Sequence, residues 1–183
     1  ANLTTTTGAL SLDGDSDNAV DTLSGNDYIL FASGTTLTSA GNITLSAANG
    51  GMTTAGNLTL SAPSSITMTG TMSGTGDISL SASNGITLNN SISTSSGLLS
   101  INANSSALTL GSGVTLSSTN ALTLAASSTT SSGDLTLTSS ASTINVNNAL
   151  VSAGAVTMTA STGLTLSNST LTGSGNIRLQ GGS

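Results

Sequence analysis

The stretch "GDISLSASNGITLNN" at residues 76–90 returns, slightly altered, as "GAVTMTASTGLTLSN" at residues 154–168. Each copy sets down a glycine, then an aliphatic–Ser/Thr–aliphatic triplet, then small polar residues, then a second such triplet. Alternation of apolar and polar residues is the period-2 mark of a strand with one buried face. No segment shows a 3.6-residue apolar stripe, and Ser, Thr and Gly are poor helix formers. The unit is therefore a set of short strands separated by tight small-residue corners.

Outward from this stretch the same opening recurs along the chain. It reads "GNITLS" (41–46), "GNLTLS" (56–61), "GDISLS" (76–81), "GLLSIN" (97–102), "NALTLA" (120–125), "GDLTLT" (133–138), "GAVTMT" (154–159) and "GNIRLQ" (175–180). The intervals are 15, 20, 21, 23, 13, 21 and 21 residues. Second triplets follow in most units, such as Ile66-Thr67-Met68, Ile86-Thr87-Leu88, Leu108-Thr109-Leu110, Ile144-Asn145-Val146 and Leu164-Thr165-Leu166. A unit of about twenty residues made of two or three short strands cannot bury an apolar face alone, but a stack of such units can. This predicts an all-β fold, a parallel β-solenoid of about seven to eight coils. At about 4.8 Å per coil it is a rod on the order of 35–40 Å long. Residues 41–183 read as regular repeats. Residues 1–40 read as the first coil or coils, carrying an acidic insert at 13–27. Read as one column, the inward pairs of the opening strand run from Ile43/Leu45 through Leu58/Leu60, Leu122/Leu124 and Leu135/Leu137 to Ile177/Leu179. The 13- and 15-residue intervals then read as coils that lost one strand. Gly and Asn at 49–50, 84–85, 89–90 and 147–148 fall where corners belong, because Gly adopts and Asn tolerates positive φ.

Composition restricts function sharply. The 183 residues include 69 Ser or Thr and 22 Gly, with one Arg, no Lys, seven Asp, no Glu, no His and no Cys. A net charge of −6 with Arg178 as the sole cation excludes nucleic-acid binding, which needs basic side chains to displace counterions. It excludes anionic lipid surfaces for the same reason. No run of about eighteen apolar residues exists to span a bilayer. Without His, Glu, Lys or Cys, acid–base and nucleophilic catalysis lack their usual groups, so an enzyme is not expected. The chain opens on "ANLTTTTGAL", which reads as a processed chain or a piece of a longer one.

Chemistry concentrates in one place. Five of the seven Asp fall in "DGDSDNAVDTLSGND" at 13–27. Against the loop pattern D-x-[DN]-x-[DN]-G-x5-E, Asp13, Asp15 and Asp17 fill the first three ligand positions and Asp21 the ninth. Asn18 stands in place of the glycine and Ser24 in place of the terminal glutamate. Two readings stand: a solvated acidic loop, or a calcium site built on Asp13, Asp15, Asp17 and Asp21, stiffening the loop rather than catalysing. Asp77 and Asp134, each after a corner glycine, read as polar corner residues bonding the next coil. Read at one shared coil position with two coils between them, they lie about 14 Å apart, too far to form a catalytic carboxylate pair. Tyr28 and Phe31 read as caps on the core of the first coil, and Arg178 as a lone surface cation.

Two further surfaces follow from the single-column reading. Thr44, Thr59, Ser79, Ser100, Thr123, Thr136 and Thr157 would form one outward rank, with full T-x-T pairs only at Thr136/Thr138 and Thr157/Thr159. A flat threonine array is the alternative reading, an ice-binding solenoid. Six formal sequons begin at Asn2, Asn42, Asn57, Asn89, Asn104 and Asn168, so attached or bound glycans are a further expectation.

The G-[ND]-[IL]-[TS]-L-[ST] stretches at 41–46, 56–61, 76–81 and 133–138, together with "SLDGDSDNA" at 11–19, resemble the repeats of filamentous haemagglutinin-type exoproteins. The likeness covers roughly residues 35–180. The N-P-N-type motifs of that family's secretion domain are absent from this stretch, whose one proline stands in "APSS". The resemblance implies a repeat shaft, located outside the cell or on a bacterial cell surface, in a stalk or fibre. Bare strand edges template further strands, so the expected partner is another coil. Flanking repeats would supply it, or another copy stacked end to end.

Overall fold

The computed structural model describes residues 2–14, 28–47, 49–152 and 154–182. Among these there is no helix, and every strand pairing is parallel. The chain winds as a three-faced β-solenoid of about seven turns, with eight rungs on each face. Both the all-β class and the coil number match the expectation from the repeats.

The first face stacks Asn2–Thr4, Thr35–Thr38, Leu58–Ala62, Ile78–Ala82, Leu99–Asn102, the first half of Leu122–Ser131, the first half of Thr143–Ser152, and Gly163–Ser167. The second stacks Leu10–Asp13, Ile43–Ser46, Ile66–Thr69, Ile86–Leu88, Ala107–Leu110, the second halves of the two long strands, and Leu171–Gly173. The third stacks Ile29–Phe31, Met52–Thr54, Met72–Gly74, Ile92–Thr94, Val114–Ser118, Leu135–Ser139, Val156–Ala160 and Ile177–Gln180. The first two faces form one 14-stranded sheet, because both ten-residue strands turn the corner between them without a break. In Leu122–Ser131 that corner appears as a register shift between Ala125 and Ser128.

Alternation fixes which side of each strand is inside. Ile78, Leu80 and Ala82 are buried while Ser79 and Ser81 are half-buried. The same pattern repeats at Leu58–Ala62, Leu135–Ser139 and Val156–Ala160. Each enclosed aliphatic contributes roughly 1.5–3 kcal/mol. The opening pairs expected to face inward are buried at every rung but the eighth, where Ile177 and Leu179 keep the register of buried Val156 and Met158 and are 45% exposed.

Their assignment to a single column does not hold. Ile43 and Leu45 lie on the second face, the pairs from Leu58 to Leu124 on the first, and those from Leu135 to Leu179 on the third. The short intervals are therefore not shortened coils. The 15-residue step skips from the second face of one coil to the first face of the next. The 13-residue step skips from first to third face within one coil. In both coils the strand that would have revealed the phase carries threonine in its leading inward position. These are Thr35, in register with Leu58, and Thr129, in register with Leu108 and Leu150.

Candidate functional site

Among the described residues, side-chain hydrogen bonds gather at the corners. At the third-to-first corner the backbone closes tightly: a Cβ added at Gly97 would lie 2.2 Å from the Gly76 backbone carbon and oxygen. Only glycine permits that approach. The residue after the glycine then reaches to the next coil. Asn57 Oδ1 accepts from the Asp77 N–H at 2.9 Å, and Asp77 Oδ1 accepts from the Leu98 N–H at 3.0 Å. Asp134 Oδ1 accepts from the Ala155 N–H at 2.8 Å, and Asn42 Oδ1 from the Ser65 N–H at 3.2 Å. Such bonds satisfy amides that the turn removes from the strand ladder.

Asp77 and Asp134 thus act as expected, as corner acceptors. They do not share a coil position: Asp77 sits where the third face meets the first, and Asp134 where the second meets the third. No carboxylate pair for acid–base chemistry results.

A second set of corner contacts was not read from the sequence. Inward hydroxyls at strand ends donate to corner carbonyls. Thr54 bonds Gly56 O at 2.9 Å, Ser118 bonds Asn120 O at 2.8 Å, Ser131 bonds Gly133 O at 3.0 Å and Ser39 bonds Asn42 O at 3.0 Å. All four residues are buried. The available signal is a Ser or Thr two residues before a corner residue, as in Thr54-Ala55-Gly56 and Ser131-Ser132-Gly133. It is weak in a chain with so many hydroxyls.

The acidic segment divides at the boundary of the described residues. Asp13 ends a second-face strand in register with Ser46. Asp15, Asp17 and Asp21 lie outside the described residues. The chain leaves the second face at Asp13 and re-enters on the third at Ile29. Among the described residues no three metal-ligating side chains cluster.

Phe31 is buried in the first coil as expected, while Tyr28 is 48% exposed. Arg178 is exposed and donates to Gln180 Oε1 at 2.9 Å. Several sequon asparagines serve as staples between coils. Asn104, at φ 51°, donates through Nδ2 to Ala82 O at 2.9 Å, and Asn168 donates to Asn147 Oδ1 at 3.2 Å. Asn89 Nδ2 donates to Thr69 Oγ1 at 3.1 Å.

The outward hydroxyls also rearrange. Thr44 belongs to the second face, Thr59 through Thr123 to the first, Thr136 and Thr157 to the third, so the expected single rank is three partial ones. The second face carries an unbroken threonine ladder, Thr44, Thr67, Thr87, Thr109 and Thr130. The third carries Thr53, Ser73, Ser93, Ser117, Thr138 and Thr159 in register. Beside this second ladder lies a shallow groove of about 510 Å³, lined only by Ser, Thr and Gly. It offers neutral hydroxyls and methyls, with no base to activate a nucleophile and no aromatic ring on which a sugar could stack.

In comparison with known families, the chain is similar to the haemagglutinin repeat, whose family model matches residues 1–47, 46–93, 94–157 and 130–183. No curated protein and no solved structure matches it.

Proposed function

The chain belongs to the haemagglutinin-repeat family, and on that premise we propose that it is a length of solenoid shaft in a secreted or cell-surface fibre. Haemagglutinin repeats are structural, adhesin-type units rather than enzymes, and typically belong to secreted or surface proteins. The observation that carries the proposal is the continuity of all three faces through eight in-register rungs, around an aliphatic core. Each strand of the inner rungs is hydrogen-bonded to the coils before and after it, so bending or stretching the rod must break ladders on several faces together. Hydroxyls keep the outer surface wet without charge. The shaft continues when another coil of the same kind pairs with the edge of the last rung.

Negative-stain electron microscopy of the native material, with the intact mass measured in parallel, tests this. Thin rods one coil in cross-section are expected. Compact particles with no long axis would overturn it.

The threonine ladder of the second face supports a second reading, an ice-binding surface, since its hydroxyls and methyls repeat at the strand spacing of about 4.8 Å. Thermal hysteresis separates the two. A gap between melting and freezing points that Thr87→Lys abolishes would favour ice binding; its absence leaves the shaft alone.

A further inference from the structure

Where the first face turns into the second, main-chain N–H groups that leave the strand ladder find partners on a neighbouring coil. The Ser65 N–H donates to Asn42 Oδ1 at 3.2 Å, the Asn84 N–H to Ser64 O at 3.1 Å and the Ser127 N–H to Ser106 O at 2.8 Å. One amide is passed over. Asn42, Ser65 and Gly85 stand one residue before the stacked Ile43, Ile66 and Ile86. Asn42 is long enough to accept from the coil after it. Ser65 is shorter, and its hydroxyl is turned to Asn42 Oδ1 at 3.1 Å. Among the described residues the Gly85 N–H has no acceptor.

Asn84 directly precedes that amide. It is exposed, and among the described residues its carboxamide makes no hydrogen bond. Gly85 lies at φ 109°, and without a Cβ nothing on its own Cα screens its nitrogen. An exposed carboxamide beside an unengaged main-chain nitrogen is the pair that closes to a succinimide. Both reactants belong to one chain, so the attack is intramolecular and needs no encounter.

We propose that Asn84 is a site of spontaneous covalent modification, losing its side-chain nitrogen to attack by the nitrogen of Gly85. Solvent base removes the Gly85 amide proton. The nitrogen bonds to Asn84 Cγ, and the Cγ–Nδ2 bond breaks with release of ammonia. Water, the only co-reactant, then opens the ring. Opening at Cγ gives aspartate, and opening at the main-chain carbonyl gives isoaspartate. Isoaspartate routes the main chain through Cβ and Cγ and lengthens it by one carbon. That carbon falls between two bonds to the preceding coil, Asn84 N–H to Ser64 O and Ile66 N–H to Gly85 O, each 3.1 Å. Both cannot keep their present register, so the corner loosens. Asn49–Gly50 is the chain's other Asn-Gly pair. Asn49 is already engaged, and the Gly51 N–H closes its turn onto Ala47 O at 2.8 Å, so Asn84 is the faster site.

The test incubates the folded 183-residue chain in warm, mildly alkaline buffer made with heavy-oxygen water and maps every asparagine by peptide mass spectrometry. Asn84 is expected to exchange its amide for an acid carrying one heavy oxygen, faster as the pH rises. Isoaspartate methyltransferase should label the product. Asn57, Asn89 and Asn104, followed by Leu, Asn and Ser, should keep their amides over the same interval. The aged chain should show a lowered denaturation midpoint. Asn84→Gln, whose longer side chain must close a larger ring, should stay unlabelled and keep its starting midpoint. Conversion of Asn49 before Asn84 would overturn the choice of site. Conversion of Asn84 with an unchanged midpoint would overturn the loosening of the corner. If Asn84 stayed intact in the folded chain but converted in the same chain unfolded by urea, the corner would be protecting it and the proposal would fall.

Discussion

Thr35 and Thr129 stand in the same kind of place and meet different fates. Each occupies the leading inward slot of a strand whose stacked neighbours hold leucine. Thr35 follows the turn at Ser33 and Gly34, so a carbonyl three residues back lies within reach. Its Oγ1 donates to Ala32 O at 2.7 Å. Thr129 lies inside a ten-residue strand that turns its corner without a break, flanked by Leu108 and Leu150. It is fully buried, and among the described residues its Oγ1 is the buried side-chain polar atom that lacks a partner. The core thus accepts a hydroxyl at low cost beside a corner, where carbonyls turn away from the ladder, and at full cost along a face.

Removing the aliphatic next to Thr129 should produce the largest effect. Leu150→Ala leaves a cavity in the second-face column and is expected to cost about 2–5 kcal/mol, read as a lower denaturation midpoint. The hydroxyl of Thr129 then gains room for a water. The double variant Leu150→Ala/Thr129→Val should accordingly fall short of additivity by a measurable margin. Strict additivity would mean that Thr129 does not sense the cavity.

Next in size is Thr129→Val. The change keeps the shape and deletes the unpaired hydroxyl, so it should stabilise the chain by about 1–3 kcal/mol, the usual desolvation penalty of such a group. An unchanged or lowered midpoint would show that Oγ1 is satisfied in solution, and the contrast with Thr35 would disappear. Thr35→Val is the matched control. It loses a hydrogen bond worth about 0.5–1.5 kcal/mol and gains a buried methyl worth about 0.8 kcal/mol. Its net change should stay within about 1 kcal/mol.

These two threonines also explain what was and was not legible in the sequence. Triplets such as Ile78-Ser79-Leu80 announce strands, and the Gly-Asn and Gly-Asp pairs announce corners, because period 2 and tight turning are local properties. Which face a strand joins is not local. It depends on counting three strands to every coil, and the count slips where threonine replaces the first aliphatic of the triplet, at Thr35–Thr38 and again at Ser128–Ser131. Orientation toward the core survived the slip because alternation alone decides it. The outward threonine ranks did not survive, since their continuity depends on the phase. The hydroxyl clasps at the corners were hidden for another reason: Ser and Thr are too common here for a Ser-x-Gly spacing to stand out. For the acidic segment only Asp13 can be placed.

The corner acceptors give the smallest expected change. Asp77 uses one carboxylate oxygen to accept the Leu98 N–H, and Asn57 performs the same task one coil earlier with an amide oxygen. The contact asks for an acceptor of that reach rather than for a charge. Asp77→Asn should therefore leave the denaturation midpoint within about 0.5 kcal/mol, as for a surface substitution that keeps its bond. Asp77→Leu removes the acceptor and should cost about 1 kcal/mol, the typical net value of such a hydrogen bond. The next coil already has Leu98 at this position, 37% exposed, so the corner tolerates the side chain sterically and the difference between the two variants isolates the bond. If Asp77→Asn proved as costly as Asp77→Leu, the negative charge itself would be supporting the corner. Asp134, which bonds the Ala155 N–H on a different corner, would then have to show the same dependence.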